Sequence, residues 1–443
     1  MAPEEWRRVT LRELVEIKHG LAFKGDYFRD EPPGDILLTP GNFDIGGGIK
    51  PDKLKYYDGP VPEEFVLNAG DLIVTMTDLS RGADTLGYPA LVPDWRGVRF
   101  LHNQRLGKVE IRPGAPVLKD FLYFLLRTRE YRHEVLAGAT GTTVRHTSPE
   151  RIQAFRFLLP PIEEQRAIAH ALGTLDDKIE LNRGMNETLE AIARAIFKSW
   201  FVDFDPVRAK VEGRQPVGMD SETAALFPSA FEDSSLGKIP KGWTVRNLPD
   251  VVELNPRRSL KPGLEALYVE MQNMPTTSAR VLGWERRPFS SGTKFINGDV
   301  LLARITPCLE NGKTAFVDFL DDGEVGWGST EYIVLRSRPP LPLEYTYFLA
   351  RTAGLRSHAI SNMTGTSGRQ RVPVDCFDYF PLAVPPAPLA QQFGRIVGPP
   401  MAAMKQHDSE SNVLAELRDT LLPGLLSGKV RVKPTGAATA ATT

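Results

Sequence analysis

The chain of 443 residues is 42% hydrophobic and has a formal net charge of -1, which is typical of a globular protein with roughly two to four domains. No stretch approaches the roughly 18 consecutive apolar residues that a membrane-spanning helix needs, and the first residues lack a signal-peptide pattern. The two cysteines, Cys308 and Cys376, have no histidines near them at zinc-ligand spacing. We therefore expect a cytoplasmic protein without a disulfide framework or a metal site.

The charges are unevenly distributed along the chain, although the net charge alone does not indicate a polyanionic partner. Residues 81–156 contain 13 Lys and Arg against 7 Asp and Glu, and residues 257–313 contain 9 against 5. Residues 161–233 reverse the balance, with 8 against 14. Two mildly basic segments therefore lie on either side of an acidic one. This pattern favours phosphate binding by the basic segments and a different partner for the acidic segment; ordinary solvated surface is the alternative.

The sequence contains an internal repeat. The stretch that begins at Trp6 (WRRVTLRELVEI) aligns without gaps with the stretch that begins at Trp243 (WTVRNLPDVVEL). Further pairs follow in the same order in both halves: NAGDLIVTMT and INGDVLLARIT, YFLLRT and YFLART, TGTTVRH and TGTSGRQ, and PPIEEQRAI and PPAPLAQQFGRI. Each half therefore predicts a mixed α/β unit of about 160 residues followed by a helical segment of about 40.

The two helical segments have apolar and helix-favouring positions at intervals of three and four, which predicts heptad seams over residues 175–200 and, less regularly, residues 404–425. Gly173 predicts a break in the first helix, and Thr174 predicts a cap for the part that follows. In the second segment, Pro399-Pro400 suits a helix start better than a helix interior.

Both seams become polar at the same place. Asn182 and Asn186 in the first seam are each 225 residues before His407 and Ser411 in the second. If the helices pack antiparallel, Asn186 faces His407 and Asn182 faces Ser411. We interpret this polar layer as a device that sets the helix register, because a buried polar pair penalises slipped pairings. A locally exposed stretch of helix is the alternative.

No known catalytic motif is assembled in the sequence. Residues 311–314 (NGKT) resemble the end of a phosphate-binding loop, but Pro307 stands where that motif needs a glycine. The Asp/Asn-Pro-Pro-aromatic motif of amino-methyltransferases does not occur, and no Pro-Asp has a convincing Glu-x-Lys partner of the nuclease type. The histidines do not pair with Ser or Cys in a nucleophile context. The sequence therefore predicts a protein that is not an enzyme, and a nuclease or methyltransferase of an unfamiliar motif class stays open.

Two segments resemble a known family. Residues 158–210 (LLPPIEEQRAIAHALGTLDDKIELNRGMNETLEAIARAIFKSWFVDFDPVRAK) are similar to the central conserved region of the specificity subunits of Type I restriction-modification systems. Residues 417–432 (LRDTLLPGLLSGKVRV) resemble the carboxy-terminal end of those subunits. The order of variable domain, helix, variable domain and helix is also the layout of that family.

The resemblance implies an α+β fold in which two similar mixed α/β target-recognition domains are separated by two long helices. The helices would pack as an antiparallel coiled coil with pseudo-twofold symmetry. We predict target-recognition domains at residues 1–160 and 241–385, a central helical region at 161–211, a linker at 212–240, a C-terminal helical region at 386–433 and a flexible tail at 434–443.

The resemblance also implies a function and a set of partners. Such a subunit reads a bipartite asymmetric target in double-stranded DNA, with one domain for each half-site. The helices would bind two methyltransferase subunits, and the assembly could recruit restriction and translocase subunits. S-adenosylmethionine, ATP and Mg²⁺ would bind to those partners, and this chain would hold no cofactor. A structural adaptor that uses duplicated domains on a helical spacer is the rival interpretation.

Reading bases needs polar and basic side chains on projecting loops, and contact with phosphates needs positive charge and backbone amides. The paired Gly-Thr loops offer both, although a structural turn against the helix is the alternative. The candidates in and around these loops and at other turns are Lys24, Arg81, Arg105, Thr142, Thr143, Arg145, His146, Arg304, Lys313, Thr366, Ser367, Arg369, Gln370 and Arg371.

A group of aromatic residues follows the first helical segment. Trp200, Phe201 and Phe204 stand beside carboxylates, and exposed aromatics of this kind are good anchors for a protein partner. We predict a partner-binding role for these three residues. Burial under the first domain is the alternative.

Overall fold

The computed structural model describes residues 5–51, 54–80, 82–141, 144–366 and 368–432. The chain divides into two compact units: the first unit contains residues 1–179 and 412–443, and the second contains residues 180–411. Both divisions fall inside long helices, and each unit is described by itself. The domain boundaries given above stay a prediction.

The first unit is a mixed α/β unit. Its strands are β1 (Arg7–Thr10), β2 (Val15–His19), β3 (Phe28–Arg29), β4 (Asp35–Leu38), β5 (Lys55–Tyr57), β6 (Val66–Leu67), β7 (Leu72–Thr75), β8 (Thr77–Asp78), β9 (Pro89–Leu91), β10 (Phe100–His102), β11 (Leu106–Ile111), β12 (Arg145–His146) and β13 (Arg156–Leu159). Its helices are α1 (Leu11–Leu14), α2 (Lys119–Leu125), α3 (Arg129–Ala137), α4 (Pro149–Gln153), the first part of α5 (Ile162–Phe201) and the end of α11 (Ala387–Leu426).

The strands of the first unit form two larger sheets and two short pairs. One sheet has the order β2-β11-β7-β9 and is antiparallel throughout. The other has the order β3-β5-β4-β10-β6, in which β4 and β10 are parallel. The short pairs are β1 with β13 and β8 with β12. Helix α2 packs against the first sheet in a core that includes Leu72, Val74, Phe121 and Leu125.

The second unit repeats this plan. Its strands are β14 (Phe231–Ser234), β15 (Gly237–Pro240), β16 (Thr244–Asn247), β17 (Val252–Leu254), β18 (Glu265–Val269), β19 (Glu285–Pro288), β20 (Thr293–Phe295), β21 (Val300–Ala303), β22 (Thr314–Phe316), β23 (Gly326–Gly328), β24 (Tyr332–Ser337) and β25 (Pro381–Val384). Its helices are the second part of α5, α6 (Asp205–Val211), α7 (Ser221–Ala225), α8 (Leu248–Val251), α9 (Leu343–Ala350), α10 (Ala353–Ser361) and most of α11 (Ala387–Leu426).

The sheets of the second unit have the topology of those in the first. The order β17-β24-β21-β22 corresponds to β2-β11-β7-β9, and the pair β16 with β25 corresponds to β1 with β13. In the order β19-β18-β23-β20, β18 and β23 are the parallel pair, as β4 and β10 are in the first unit. The two halves that repeat in sequence therefore share one four-stranded sheet, one short strand pair and four strands of the other sheet, to which the first unit adds β3.

The repeated Gly-Asp turn shows how the sequence forms this frame. Gly70 and Gly298 have φ angles of +76° and +86°, which favour glycine. The aspartate that follows each glycine accepts a hydrogen bond across the turn: Asp71 from the Asn68 amide at 2.8 Å, and Asp299 from the Ile296 amide at 2.9 Å. Each turn leads into the buried strand β7 or β21.

The helix α5 is continuous, so the break predicted at Gly173 was wrong. Thr174 does not cap a new helix, because its hydroxyl donates to the His170 carbonyl oxygen at 2.8 Å. The buried side chains of Ile168 and Leu172 explain the difference, since their packing offsets the roughly 1 kcal/mol that a glycine costs inside a helix.

The helix α11 is also continuous, so the predicted start at Pro399-Pro400 was wrong as well. Proline in a helix interior removes a backbone donor and crowds the preceding turn. Val397 and Met401, on either side of this pair, are buried in the core of the second unit. Packing of the apolar face therefore maintains the helix where local preference alone would end it.

Within the second unit, α5 and α11 are antiparallel, and the four polar seam residues lie together. Asn182 is fully buried, and its Nδ2 donates to Ser411 Oγ at 3.2 Å and to Glu410 Oε2 at 2.8 Å. Asn186 Oδ1 accepts a hydrogen bond from His407 Nδ1 at 2.8 Å. These are the pairings expected from the sequence spacing, and the role in setting the register stays a prediction.

We expect Asn182→Ala to lower the free energy of unfolding by about 1–3 kcal/mol, because it removes a buried donor that several acceptors share. Urea denaturation followed by circular dichroism measures the change. Arg183→Ala is the matched control, since Arg183 is exposed and its ion pair with Glu180 lies on the helix surface. Equal stability of the two variants would contradict a structural role for the polar layer.

Candidate nucleic-acid interface

The Gly-Thr loop of the first unit is closed by a short antiparallel ladder. The backbone groups of Thr140 and His146 exchange two hydrogen bonds of 2.9 Å, and β12 pairs with β8. Gly141 has a φ angle of +94°, and a Cβ atom there would meet the Val144 carbonyl oxygen at 2.0 Å. Only glycine fits this turn. The candidates Thr142 and Thr143 lie outside the described residues.

Two candidate side chains follow this turn. Arg145 is half-buried, and its Nε has no hydrogen-bond partner. His146 is exposed, and its Nδ1 lies 3.0 Å from Thr77 Oγ1. The first loop therefore presents a guanidinium and an imidazole beside strand β8.

Asp78 organises the segment that follows β8. This buried carboxylate accepts hydrogen bonds of 2.6 Å from the Ser80 amide, the Thr85 amide and the Thr85 hydroxyl. Burial acts to raise the pKa of Asp78, but the hydrogen bonds from Thr85 and Ser80 outweigh it and lower the pKa. The ionised carboxylate thus fixes the turn next to the Gly-Thr loop. The candidate Arg81 lies in this segment but outside the described residues.

The Gly-Thr loop of the second unit has the same ladder with one additional residue. Thr364 pairs with Arg371 through hydrogen bonds of 2.9 and 2.8 Å, and Arg371 also bridges to Ile305. The ladder position of His146 is therefore occupied by Arg371, and that of Arg145 by Gln370. Aligning TGTTVRH with TGTSGRQ without a gap pairs Arg145 with Arg369 instead. The second loop is one residue longer, and the sequence motifs alone do not reveal this insertion.

The remaining residues of the second loop are mostly at the surface. Thr366 and Arg369 are exposed. Gln370 is half-buried, and its backbone carbonyl oxygen accepts a hydrogen bond of 3.0 Å from the Thr306 amide. The candidate Ser367 lies outside the described residues. The loop therefore offers hydroxyl, guanidinium and amide groups to a ligand.

Arg105 and Glu331 occupy the same place in the two units. The Met76 amide donates to the Arg105 carbonyl oxygen at 2.8 Å, and the Arg304 amide donates to the Glu331 carbonyl oxygen at 3.0 Å. Each of these residues directly precedes the corresponding strand β11 or β24. Glu331 was not among the sequence candidates. Aligning the strands rather than the motifs would have revealed it as the counterpart of Arg105.

Glu331 and Arg371 form a two-point ion pair. Arg371 Nε lies 2.8 and 3.0 Å from the two carboxylate oxygens, and Nη2 lies 2.7 Å from Oε1. Hydrogen bonding and charge from Glu331 raise the pKa of Arg371. The second unit therefore has a paired acid and base where the first has Arg105 and His146.

The other basic candidates differ in their surroundings. Arg304 joins the loop, since its carbonyl oxygen accepts from the Val372 amide at 2.8 Å, but its Nε is buried and without a hydrogen-bond partner. Lys313 Nζ donates to the Met271 carbonyl oxygen at 2.6 Å, an internal contact. Lys24 is exposed in the segment before β3, away from the loop ladder in sequence.

The aromatic candidates lie in the core of the second unit. Trp200 and Phe201 are 4% and 7% exposed, and both pack against Phe393 of α11. Phe204 is half-buried against Trp243, with ring centroids 5.4 Å apart. The two buried rings do not present the exposed surface that the partner prediction assumed, because the apolar face of α5 continues to its end. They are buried in the second unit rather than under the first domain.

The described residues offer neither a metal site nor a membrane-spanning helix. Among them, no group of three or more His, Cys, Asp or Glu side chains is arranged to hold a metal ion. None of the described helices combines the length and apolar character needed to cross a bilayer.

The chain is similar in sequence to proteins of one family. A family model described as the Type I restriction modification DNA specificity domain matches residues 3–191. The chain is 25% identical over 335 residues to the Type I restriction enzyme MjaIX specificity subunit of Methanocaldococcus jannaschii, covering 73% of this chain and 72% of that protein. It is 27% identical over 370 residues to the HindI specificity subunit of Haemophilus influenzae, covering 72% of this chain and 79% of that protein.

A solved structure supports the fold. The S subunit of a Type-I restriction-modification system from M. genitalium aligns with a TM-score of 0.51 at 14% identity, over 95% of this chain and 96% of that chain. At this identity the likeness concerns the fold alone. The sequence relatives are specificity subunits, which are the non-catalytic subunits of Type I systems, and residues 3–191 of this chain match the DNA specificity domain of that family.

Proposed function

We propose that this chain reads a bipartite, asymmetric sequence in double-stranded DNA, with one unit for each half-site and an unspecified spacer between them. The observation that carries the proposal is the duplication itself. Two units of the same topology present the same loop ladder, but with different side chains at equivalent positions. A duplicated frame with unlike reading residues suits a target whose two halves differ.

The loop chemistry supports contact with DNA. Thr366 and Arg369 are exposed in the second unit, and His146 is exposed beside the half-buried Arg145 in the first. Hydroxyl, guanidinium and imidazole groups donate to base edges and to phosphates. The ladders fix the backbone from which these side chains project, which lowers the entropy lost on binding.

Exposed apolar residues on the long helices suit the docking of two methyltransferase subunits. Ile192 on α5 is 50% exposed and Leu417 on α11 is 45% exposed. They are separated by the same 225 residues as the polar seam pairs, so they are equivalent positions of the repeat. Two equivalent apolar surfaces, one in each unit, match two copies of one partner.

The same proposal covers the remaining partners and the cofactors. Restriction and translocase subunits would join the assembly through the methyltransferases. S-adenosylmethionine, ATP and Mg²⁺ would bind to those subunits and not to this chain, and the complex would act on DNA in the cytoplasm. Equilibrium dialysis of the purified chain with S-adenosylmethionine, and separately with ATP and Mg²⁺, tests this part, since measurable binding of either would contradict it.

For DNA binding, we expect Arg145→Ala or Arg369→Ala to weaken the affinity of the complete methyltransferase complex for its target. Loss of one phosphate contact lowers the slope of log affinity against log salt concentration by about 0.9. Fluorescence anisotropy with a labelled duplex at several salt concentrations measures both quantities. Arg96→Ala in the first unit and Arg286→Ala in the second are matched controls on exposed arginines outside the loops. An unchanged affinity and slope for both loop variants would contradict the assignment.

For partner docking, we expect Ile192→Asp or Leu417→Asp to reduce the methyltransferase subunits bound per chain from two to one, and the double variant to bind none. A buried, unpaired carboxylate strongly disfavours an apolar interface. Native mass spectrometry of the co-expressed complex counts the subunits. Glu187→Ala, another exposed position on α5, serves as control and should retain both. Two bound subunits in the double variant would exclude these surfaces.

A further inference from the structure

The Glu331–Arg371 ion pair leaves some N–H groups of the Arg371 guanidinium available to a ligand. A guanidinium has five N–H groups. Nε and Nη2 lie along one edge and bind the Glu331 carboxylate, and Nη1 lies 3.4 Å from the Arg369 carbonyl oxygen. The outer end of the group, formed by Nη1 and Nη2, still has N–H groups to donate. The Arg371 side chain is 47% exposed, so a ligand can reach them.

The charge of the pair favours a base edge over a phosphate as the ligand. Arg371 is next to a carboxylate that cancels its positive charge, and Glu331 is itself 22% exposed. A phosphate would be repelled by Glu331. An uncharged base edge with two adjacent acceptors would not be, and it would match the outer end of the guanidinium. Guanine presents such a pair, O6 and N7, in the major groove, and its two-point contact with arginine is the commonest specific contact in protein–DNA complexes.

The first unit has a different donor set at the same place. Arg105 is exposed, and its side chain forms no ion pair with the residues that the structure describes. His146 uses Nδ1 toward Thr77 Oγ1, which leaves Nε2 as its outward group. Neither residue has the fixed, charge-cancelled fork of the second unit. The two units therefore present different donor sets at this position.

We propose that Arg371, held by Glu331, recognises a guanine in the half-site read by the second unit, and that the equivalent Arg105 and His146 make the first unit read a different base pair. This inference rests on the proposed function. Glu331 is a positioning residue: it orients Arg371 and removes its net charge. Arg371 is the specificity-determining residue.

The test uses the complete methyltransferase complex with Arg371→Gln, Arg371→Lys and Glu331→Gln. Mapping of methylated sites in the genome gives the motif of each variant. We expect Arg371→Gln to relax the requirement for guanine at one position of one half-site by about 10- to 100-fold, with the other half unchanged. Arg371→Lys should relax the same position because it lacks the fork, and Glu331→Gln should relax it to a smaller degree.

Two binding measurements separate base reading from charge. Replacing each guanine of that half-site with 7-deazaguanine, which lacks the N7 acceptor, should weaken wild-type binding at one position, and Arg371→Gln should show no further loss there. The salt dependence of binding should be unchanged by the double variant Arg371→Gln/Glu331→Gln, which removes both charges of the pair together, because the contact releases no phosphate counterion. Arg286→Gln is the matched control, since Arg286 is 50% exposed and pairs with Glu324 at 2.9 Å on another sheet.

The outcomes distinguish this inference from the function on which it rests. A wild-type complex with a bipartite motif, combined with an unchanged motif for Arg371→Gln, overturns the inference and leaves the function intact. The inference is also overturned if 7-deazaguanine at every guanine of that half-site leaves wild-type binding unchanged. It is likewise overturned if replacement of Arg371 lowers the affinity for all sequences equally and lowers the slope of log affinity against log salt concentration. A wild-type complex that methylates without any bipartite motif would overturn the proposed function itself.

Discussion

In each unit, a carboxylate on α5 binds side chains of the α/β part, and the position of the whole strand frame depends on this contact. In the first unit, the Asp176 carboxylate binds Arg127 Nη1 at 2.5 Å. In the second unit, the Glu190 carboxylate accepts a hydrogen bond of 2.5 Å from the Tyr347 hydroxyl, and Arg351 Nη2 lies 3.7 Å from Glu190 Oε1. Arg127 and Arg351 are the arginines of the repeated motifs YFLLRT and YFLART, and their side chains are 6% and 7% exposed. A buried charge without its partner costs several kcal/mol, so each frame has one favourable position on its own part of α5.

This arrangement separates the residues that position each unit from those that face its surroundings. The helices α2 and α9 pack on the sheets, and the arginines that follow them anchor those sheets to α5. The loop ladders extend from the same sheets through β8 and Ile305. Side chains such as Arg105 and Glu331 lie at the exposed end of this frame, where a change of charge does not disturb the core. Two copies of one frame can therefore diverge in what they contact while they keep the same fold.

The sequence predicted the features that depend on local pattern and repetition. The duplication, the two long helices and the contacts of Asn182 and Asn186 follow from periodicity and spacing. The continuity of α5 through Gly173 did not, because tertiary packing outweighs a local cost of about 1 kcal/mol. The burial of Trp200 depends on a partner helix far away in sequence. Glu331, the counterpart of Arg105, was missed because strand pairing, rather than motif similarity, defines which residues are equivalent.

The net charge of -1 is consistent with a reader that depends little on bulk electrostatics. A strongly basic protein binds all DNA tightly, and the ratio of specific to non-specific affinity determines whether a target is found among many competing sites. Pairing an arginine with a carboxylate lowers its attraction to every phosphate but fixes its fork for one base edge. Because the orientation is set before binding, less side-chain entropy is lost when the contact forms. In the proposed function, the Glu331–Arg371 pair thus lowers the general affinity of this loop for DNA and raises its discrimination between bases.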